Sequence, residues 1–264
     1  MDSRKSRCWA SDLGGCDSMS GEHIISNAVF RHGCSCPLIV KGVSRIRMGE
    51  PTYGAEKSNI LCRQHNSMLS PLDSTVGKLA KFQSDACDES FNETLYLEGE
   101  LLERWILKTV VNSGVAGWTG STKFRPSAEV VKAIFGITPL PERIGLYIVE
   151  GVDPNLRPSG GVSFFPIHLL ANREMLLAGA YVSVHGMTFL GAFHDDLASI
   201  LEGGAVPDLM NRFSSKGLKH IFRPGCLFME RKRGEALYVG LSWNGFLRFS
   251  DGTKAPFPRK KCES

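Results

Sequence analysis

The sequence predicts an α+β protein in two parts, and three observations carry that reading. Residues 1–85 are rich in Cys, His, Gly and Ser, and their apolar runs are short, at Glu22 to Phe30 and Pro37 to Val43. Residues 94–111 repeat apolar side chains at helical spacing, with Leu95, Leu97, Leu101, Leu102, Trp105, Ile106, Leu107 and Val110. From Arg143 onward the pattern changes to short β-type runs separated by Gly, Pro, Asn and Asp. A small stapled module over 1–85 is therefore expected to precede a larger domain over 86–264, built from a long helix and antiparallel strands.

The first part is too thin to build a large core, so it calls for a staple, and its Cys and His content makes a bound metal the available one. After Asp73, the residues Val76, Leu79, Ala80 and Phe82 lie at near-helical spacing, so the region of Asn66 leads into a helix. The helix over 94–111 should bury its apolar face inside the second part and end at Gly114 and Gly117. Ser127 is placed to cap a shorter helix reaching Phe135, with Glu129 and Lys132 facing out. Strands are expected at Ile144 to Val149, Val162 to Ile167, Ala180 to Val184, Met187 to Ala192, Cys226 to Glu230, Ala236 to Ser242 and Phe246 to Phe249. One further helix is expected at Pro207 to Lys216.

A chain of 264 residues with 42% hydrophobic content can bury a real core. The net charge of +4 averages over basic clusters at Arg4, Lys5 and Arg7, at Lys41, Arg45 and Arg47, at Arg231 to Arg233, and at Arg259 to Lys261. Such clusters suit a polyanion, although a short charge run is by default solvated surface. No apolar stretch approaches the ~20 residues that span a bilayer, and the basic N-terminus has no apolar segment behind it to make a secretory signal. Eight cysteines in such a chain argue for thiols and metal ligation and against a disulfide framework, so a cytoplasmic location is expected.

Cys62 and His65, two residues apart in Cys62-Arg63-Gln64-His65, can reach one ion from a single turn, and zinc takes thiolate and imidazole ligands in tetrahedral sets of four. Cys8 and Cys16 lie upstream as the other half, and their wider gap asks for a loop through Trp9 to Gly15, which Asp12, Gly14 and Gly15 permit. Cys34-Ser35-Cys36 is the competing pair, placed in the linker. Cys87, Cys226 and Cys262 are separated singles, expected to be core or surface thiols.

Glu22-His23 opens the apolar run Ile24-Ile25, which places a carboxylate and an imidazole at a strand end. Asn66 directly follows His65, so fixing His65 fixes the direction of Asn66; the structural alternative is that Asn66 only caps the helix. Hydrolysing a phosphodiester needs a divalent cation to polarise the phosphate and a base to deprotonate water, and Glu22, His23 and Asn66 supply a minimal set. His194-Asp195-Asp196 reads as an exposed acidic turn before it reads as a metal site, and Phe164, Phe165 and Trp243 read as sheet core before base-stacking platforms.

Residues 8 to about 80 resemble the HNH endonuclease superfamily, the ββα-metal nucleases, in the zinc-stapled branch that includes a phage Holliday-junction resolvase. Two segments carry the resemblance: Glu22-His23-Ile24-Ile25-Ser26, and Cys62-Arg63-Gln64-His65-Asn66. It implies His23 as the general base, Glu22 and Asn66 as ligands of a catalytic magnesium or manganese ion, and a structural zinc on the knuckle residues. Asp73 fits the aspartate that commonly follows the asparagine, either at the metal or orienting His23 or the helix. Asn59 fits a positioning residue. His65 stands where a cysteine is more usual, and the terminal histidine of the family pattern is replaced by Asn66.

The expected activity is metal-dependent cleavage of DNA, in a defence or mobile-element role by resemblance, with a homodimer reasonable for double-strand cutting. The competing expectations are a zinc knuckle that binds nucleic acid without chemistry, and a nuclease effector switched by a ligand of the C-terminal part.

Overall fold

The computed structural model describes residues 8–32, 38–41, 51–52, 57–88, 90–119, 124–150, 162–171, 174–202, 218–230, 236–244, 246–248 and 254–256. Strand β1 (Met19–His23) leads into the short helix α1 (Asn27–Arg31), then strands β2 (Leu38–Lys41), β3 (Pro51–Thr52) and β4 (Lys57–Cys62). Helices α2 (Arg63–Met68) and α3 (Ser70–Asp85) follow, then strand β5 (Leu95–Glu98) and helices α4 (Gly99–Val115) and α5 (Ala128–Ile134). Next come β6 (Gly145–Glu150), β7 (Val162–Ala171), β8 (Glu174–Val184), β9 (Met187–Ala192) and helix α6 (Asp195–Glu202). Strands β10 (Lys219–Phe222), β11 (Cys226–Glu230), β12 (Ala236–Trp243), β13 (Phe246–Arg248) and β14 (Lys254–Pro256) complete the described elements.

Among the described residues the architecture is mixed α+β with three sheets. Strands β1 and β4 form an antiparallel pair, with Glu22 opposite Ser58 and His23 opposite Lys57. A seven-stranded sheet runs β10-β6-β9-β8-β7-β2-β3, and a third sheet joins β11 to β14 with β5 added against β12. Pairing is antiparallel apart from β2 on β7 and β5 on β12. No helix among the described residues is long and apolar enough to cross a membrane.

Helix α4 is buried nearly all round, with Leu102, Trp105, Ile106, Leu107, Val110 and Val111 removed from solvent. It packs against α3 on one side and against β6, β8 and β9 on another. One apolar cluster therefore runs from Cys8 and Trp9 through α4 to Trp243. Strand alternation builds a second cluster on the far face of the large sheet: Leu146 and Phe189 join the α4 side, whereas Tyr147, Val149 and Leu190 meet Leu197 and Leu201 of α6.

The expected helix over 94–111 is displaced. Leu95 and Leu97 belong to β5, because their backbones pair with Val239 and Leu241 of β12 and this tertiary pairing overrides a local helical pattern. Gly114 lies inside α4, not at its end, and the chain turns at Gly117 with φ +78°. Ser127 caps α5 as expected, its hydroxyl accepting the Val130 N–H at 3.3 Å. Asp195 and Asp196 open α6, where acidic groups favour the helix dipole. The helix expected at 207–216, the pair Cys34 and Cys36, Cys262 and most of the basic clusters lie outside the described residues.

Gly114 lacks a side chain because two neighbours fill its space: a Cβ there would stand 2.5 Å from Phe124 Cδ1 and 2.7 Å from Leu177 Cδ2. Gly114→Ala is expected to lower unfolding free energy by ~1–2 kcal/mol in urea titrations, since overpacking outweighs alanine's better helix propensity. A stabilised variant would contradict this packing account.

Candidate metal centre

Four side chains from three local segments converge at one end of the β1–β4 pair. Cys8 is held beside β4 by the Trp9 N–H, which donates to the Ile60 carbonyl at 3.0 Å. Cys62 ends β4 and caps α2, its Sγ accepting the His65 N–H at 3.5 Å, and its own N–H donates to Cys8 Sγ at 3.5 Å. Cys16 arrives from the loop that follows a short 3-10 turn at Ser11–Leu13, and consecutive left-handed residues Gly14 (φ +77°) and Gly15 (φ +67°) fold that loop back.

His65 Nδ1 stands 3.2 Å from Cys62 Sγ, 3.4 Å from Cys8 Sγ and 3.6 Å from Cys16 Sγ. All four ligand atoms lie within 4.8 Å of one another. A tetrahedron with Zn–S near 2.3 Å and Zn–N near 2.0 Å has sulfur-to-nitrogen edges of roughly 3.5 Å, so the group has the dimensions and donor set of a closed four-coordinate site. Burial pushes the Cys8 thiol up, and burial followed by the nearby Cys8 pushes Cys16 up to about 12. A metal bound at this group would supply the positive charge that favours thiolate ligands.

Burial also lowers the proton affinity of His65, leaving a neutral ring suited to ligation, while a hydrogen bond to the Gly14 backbone opposes that shift and orients the imidazole. Phe135, at the end of α5, covers the centre by edge contacts with His65 and Trp9, at centroid distances of 5.5 and 5.7 Å. Cys87 and Cys226 lie outside the group.

At the other end of β1 a second polar site forms around the remaining candidates. Glu22 is buried, and its Oε1 accepts from Lys108 Nζ at 2.7 Å and from Asn112 Nδ2 at 3.4 Å. Lys108 Nζ also donates to Asp73 Oδ1 at 2.8 Å, and Asp73 accepts from the Ser26 hydroxyl. Trp105 Nε1 donates to Ser26 Oγ at 2.7 Å, and Trp9 Nε1 donates to Asn112 Oδ1 at 3.0 Å. Desolvation raises the proton affinity of Glu22, and Lys108 opposes it. His23 is half-buried; desolvation first, then Lys57, lower its proton affinity, so the ring is neutral near physiological pH.

Glu22 and Asp73 are joined through Lys108, and His23 lies within the electrostatic reach of Asp73. Asn66 hangs from the same strand, its Nδ2 donating to Ser20 Oγ at 3.2 Å, while the cap of α2 is Cys62 and not Asn66. Asp73 bonds to Ser26 and Lys108, which ties it to α1 and α4. The sequence pattern marks Trp105 only as part of an apolar helix and leaves Lys108 and Asn112 unmarked. Their spacing of three and four residues, with a lysine in a buried stripe, is the signal that could have found them. No family model, curated protein or solved structure matches this chain.

The chain purified without chelator is expected to carry one metal ion at this group, detectable by elemental mass spectrometry. Cys16→Ala is expected to hold the ion more weakly and lower the thermal midpoint. A metal-free wild type that melts at the same temperature with and without chelator would contradict the assignment.

Proposed function

We propose that this protein is a nuclease of the HNH type that hydrolyses phosphodiester bonds in DNA, stapled by zinc on Cys8, Cys16, Cys62 and His65. The observation that carries the reading is the arrangement of an antiparallel β1–β4 pair and a following helix, with the acid-histidine step at one end and the thiol-imidazole group at the other. The neutral, half-buried imidazole of His23 suits a general base.

Two carboxylates, Glu22 and Asp73, share one ammonium, Lys108, and Lys57 and Arg31 act on His23 beside them. Asp73 is the partly open member, with its side chain 33% exposed, whereas Glu22 and Lys108 are sealed. Glu22 and Asn66, with Asp73 bridged to Glu22 through Lys108, would hold magnesium or manganese, which when bound polarises the phosphate and stabilises the leaving oxygen. His23 takes the proton from the attacking water, and Ser20 and the α4 side chains hold Asn66 and Glu22 in place.

A zinc module that binds nucleic acid without chemistry is the second reading, and the engagement of Glu22 by Lys108 and Asn112 is the observation that favours it. Supercoiled plasmid separates the two. The nuclease reading expects nicking or linearisation that requires magnesium or manganese, and His23→Ala should slow it by ~10²–10⁴-fold. Retention of plasmid in the presence of chelator, with no cutting under any metal, would favour the binding module.

A further inference from the structure

The two faces of β1 differ in electrical character. Side chains alternate along a strand, so Glu22 turns inward to Lys108 while His23, next in the chain, stays half-buried on the outer face. His23 lies directly opposite Lys57 in the antiparallel β1–β4 register, which sets the two side chains about 5 Å apart at Cβ. Lys57 is exposed, and among the described residues no carboxylate is paired with it. After desolvation, Lys57 is what most lowers the proton affinity of the His23 ring, so the pair brings the sheet no electrostatic benefit. Arg31, exposed in the last turn of α1, adds positive charge to the same field.

The strand is also irregular at this point. Its register shifts between Ser20 and Glu22, and the exposed Gly21 stands at that bulge. The Lys57 stem runs past this glycine, since a Cβ built on Gly21 would lie 3.5 Å from Lys57 Cδ. An exposed glycine inside a strand leaves backbone that a ligand can approach closely. An imidazole, an ammonium without a carboxylate partner and open backbone therefore share one solvent-facing surface.

From this geometry we infer that Lys57 is a phosphate-binding residue, whose ammonium holds a non-bridging oxygen of a DNA phosphodiester beside His23. The inference deepens the proposed nuclease reading and rests on it for the purpose of the contact, but not for the contact itself. A lysine in this position carries no sequence information; it seats the backbone at the imidazole.

The test is binding of a short fluorescein-labelled DNA duplex by the zinc-loaded full chain, read by anisotropy over a range of salt with no magnesium or manganese present. Lys57→Gln is expected to weaken binding about tenfold at the lowest salt and to make the slope of log affinity against log salt shallower by roughly one. Lys57→Arg keeps the charge and should keep the wild-type slope. Nuclear magnetic resonance locates the contact: the His23 ring signals of the wild type should move when duplex is added.

A folded Lys57→Gln with unchanged affinity and slope overturns the inference. So does a wild type that binds no duplex at the lowest salt, or one that binds it with the His23 signals unmoved. Should Lys57→Gln fail to fold, the wild-type signals alone decide. A shallower slope in Lys57→Gln without plasmid cleavage by the wild type would count against the nuclease reading alone, and cleavage with an unaltered slope would count against Lys57 alone.

Discussion

The convergence of Cys8, Cys16, Cys62 and His65 is the constraint on which the N-terminal architecture depends. The segment that carries them has few apolar side chains of its own, yet it must hold residues 8 and 62 side by side against the entropy of the long intervening loop. A cation shared by three thiols and an imidazole would close that loop and offset the charge of the thiolates. Once it is closed, β1 lies along β4, the first turn of α2 is capped, and Asn66 is carried to the flank of β1.

The second constraint is electrostatic and acts at the opposite end of the same strand. Glu22 enters the interior, and an interior carboxylate needs a partner. Lys108 and Asn112 of α4 provide it, while Asp73 of α3 and Ser26 before α1 complete the network. Three elements, α4, β1 and α3, are joined through one ammonium, and the Ser26 hydroxyl adds the start of α1 through Asp73. Helix α4, which carries that ammonium, packs against the large sheet, so the candidate site is anchored to the apolar core.

Much of the metal centre is legible in the sequence because its chemistry is local. Cys62 and His65 share one turn, and the paired glycines before Cys16 announce a loop that folds back. The candidate acid-histidine step is legible for the same reason. The Lys108 network is not, because its members are separated by 35 to 90 residues and meet only through packing. A lysine within a helical run reads as a solvent-facing position until the opposing carboxylates are known. The strands after Arg143 are visible from their alternation and turn residues, whereas β5 is concealed: Leu95 and Leu97 fit the helical register of α4, and only the partner strand β12 distinguishes strand from helix there.

X-ray absorption at the zinc edge on the full chain tests the central claim most directly, because every later inference about the site presupposes the metal-closed β1–β4 pair. The account predicts three sulfur scatterers near 2.3 Å and one nitrogen scatterer near 2.0 Å, with the sulfur contribution reduced to two in Cys16→Ala if metal is retained. A first shell of oxygen and nitrogen only, or a sulfur shell unaltered by that substitution, would contradict it.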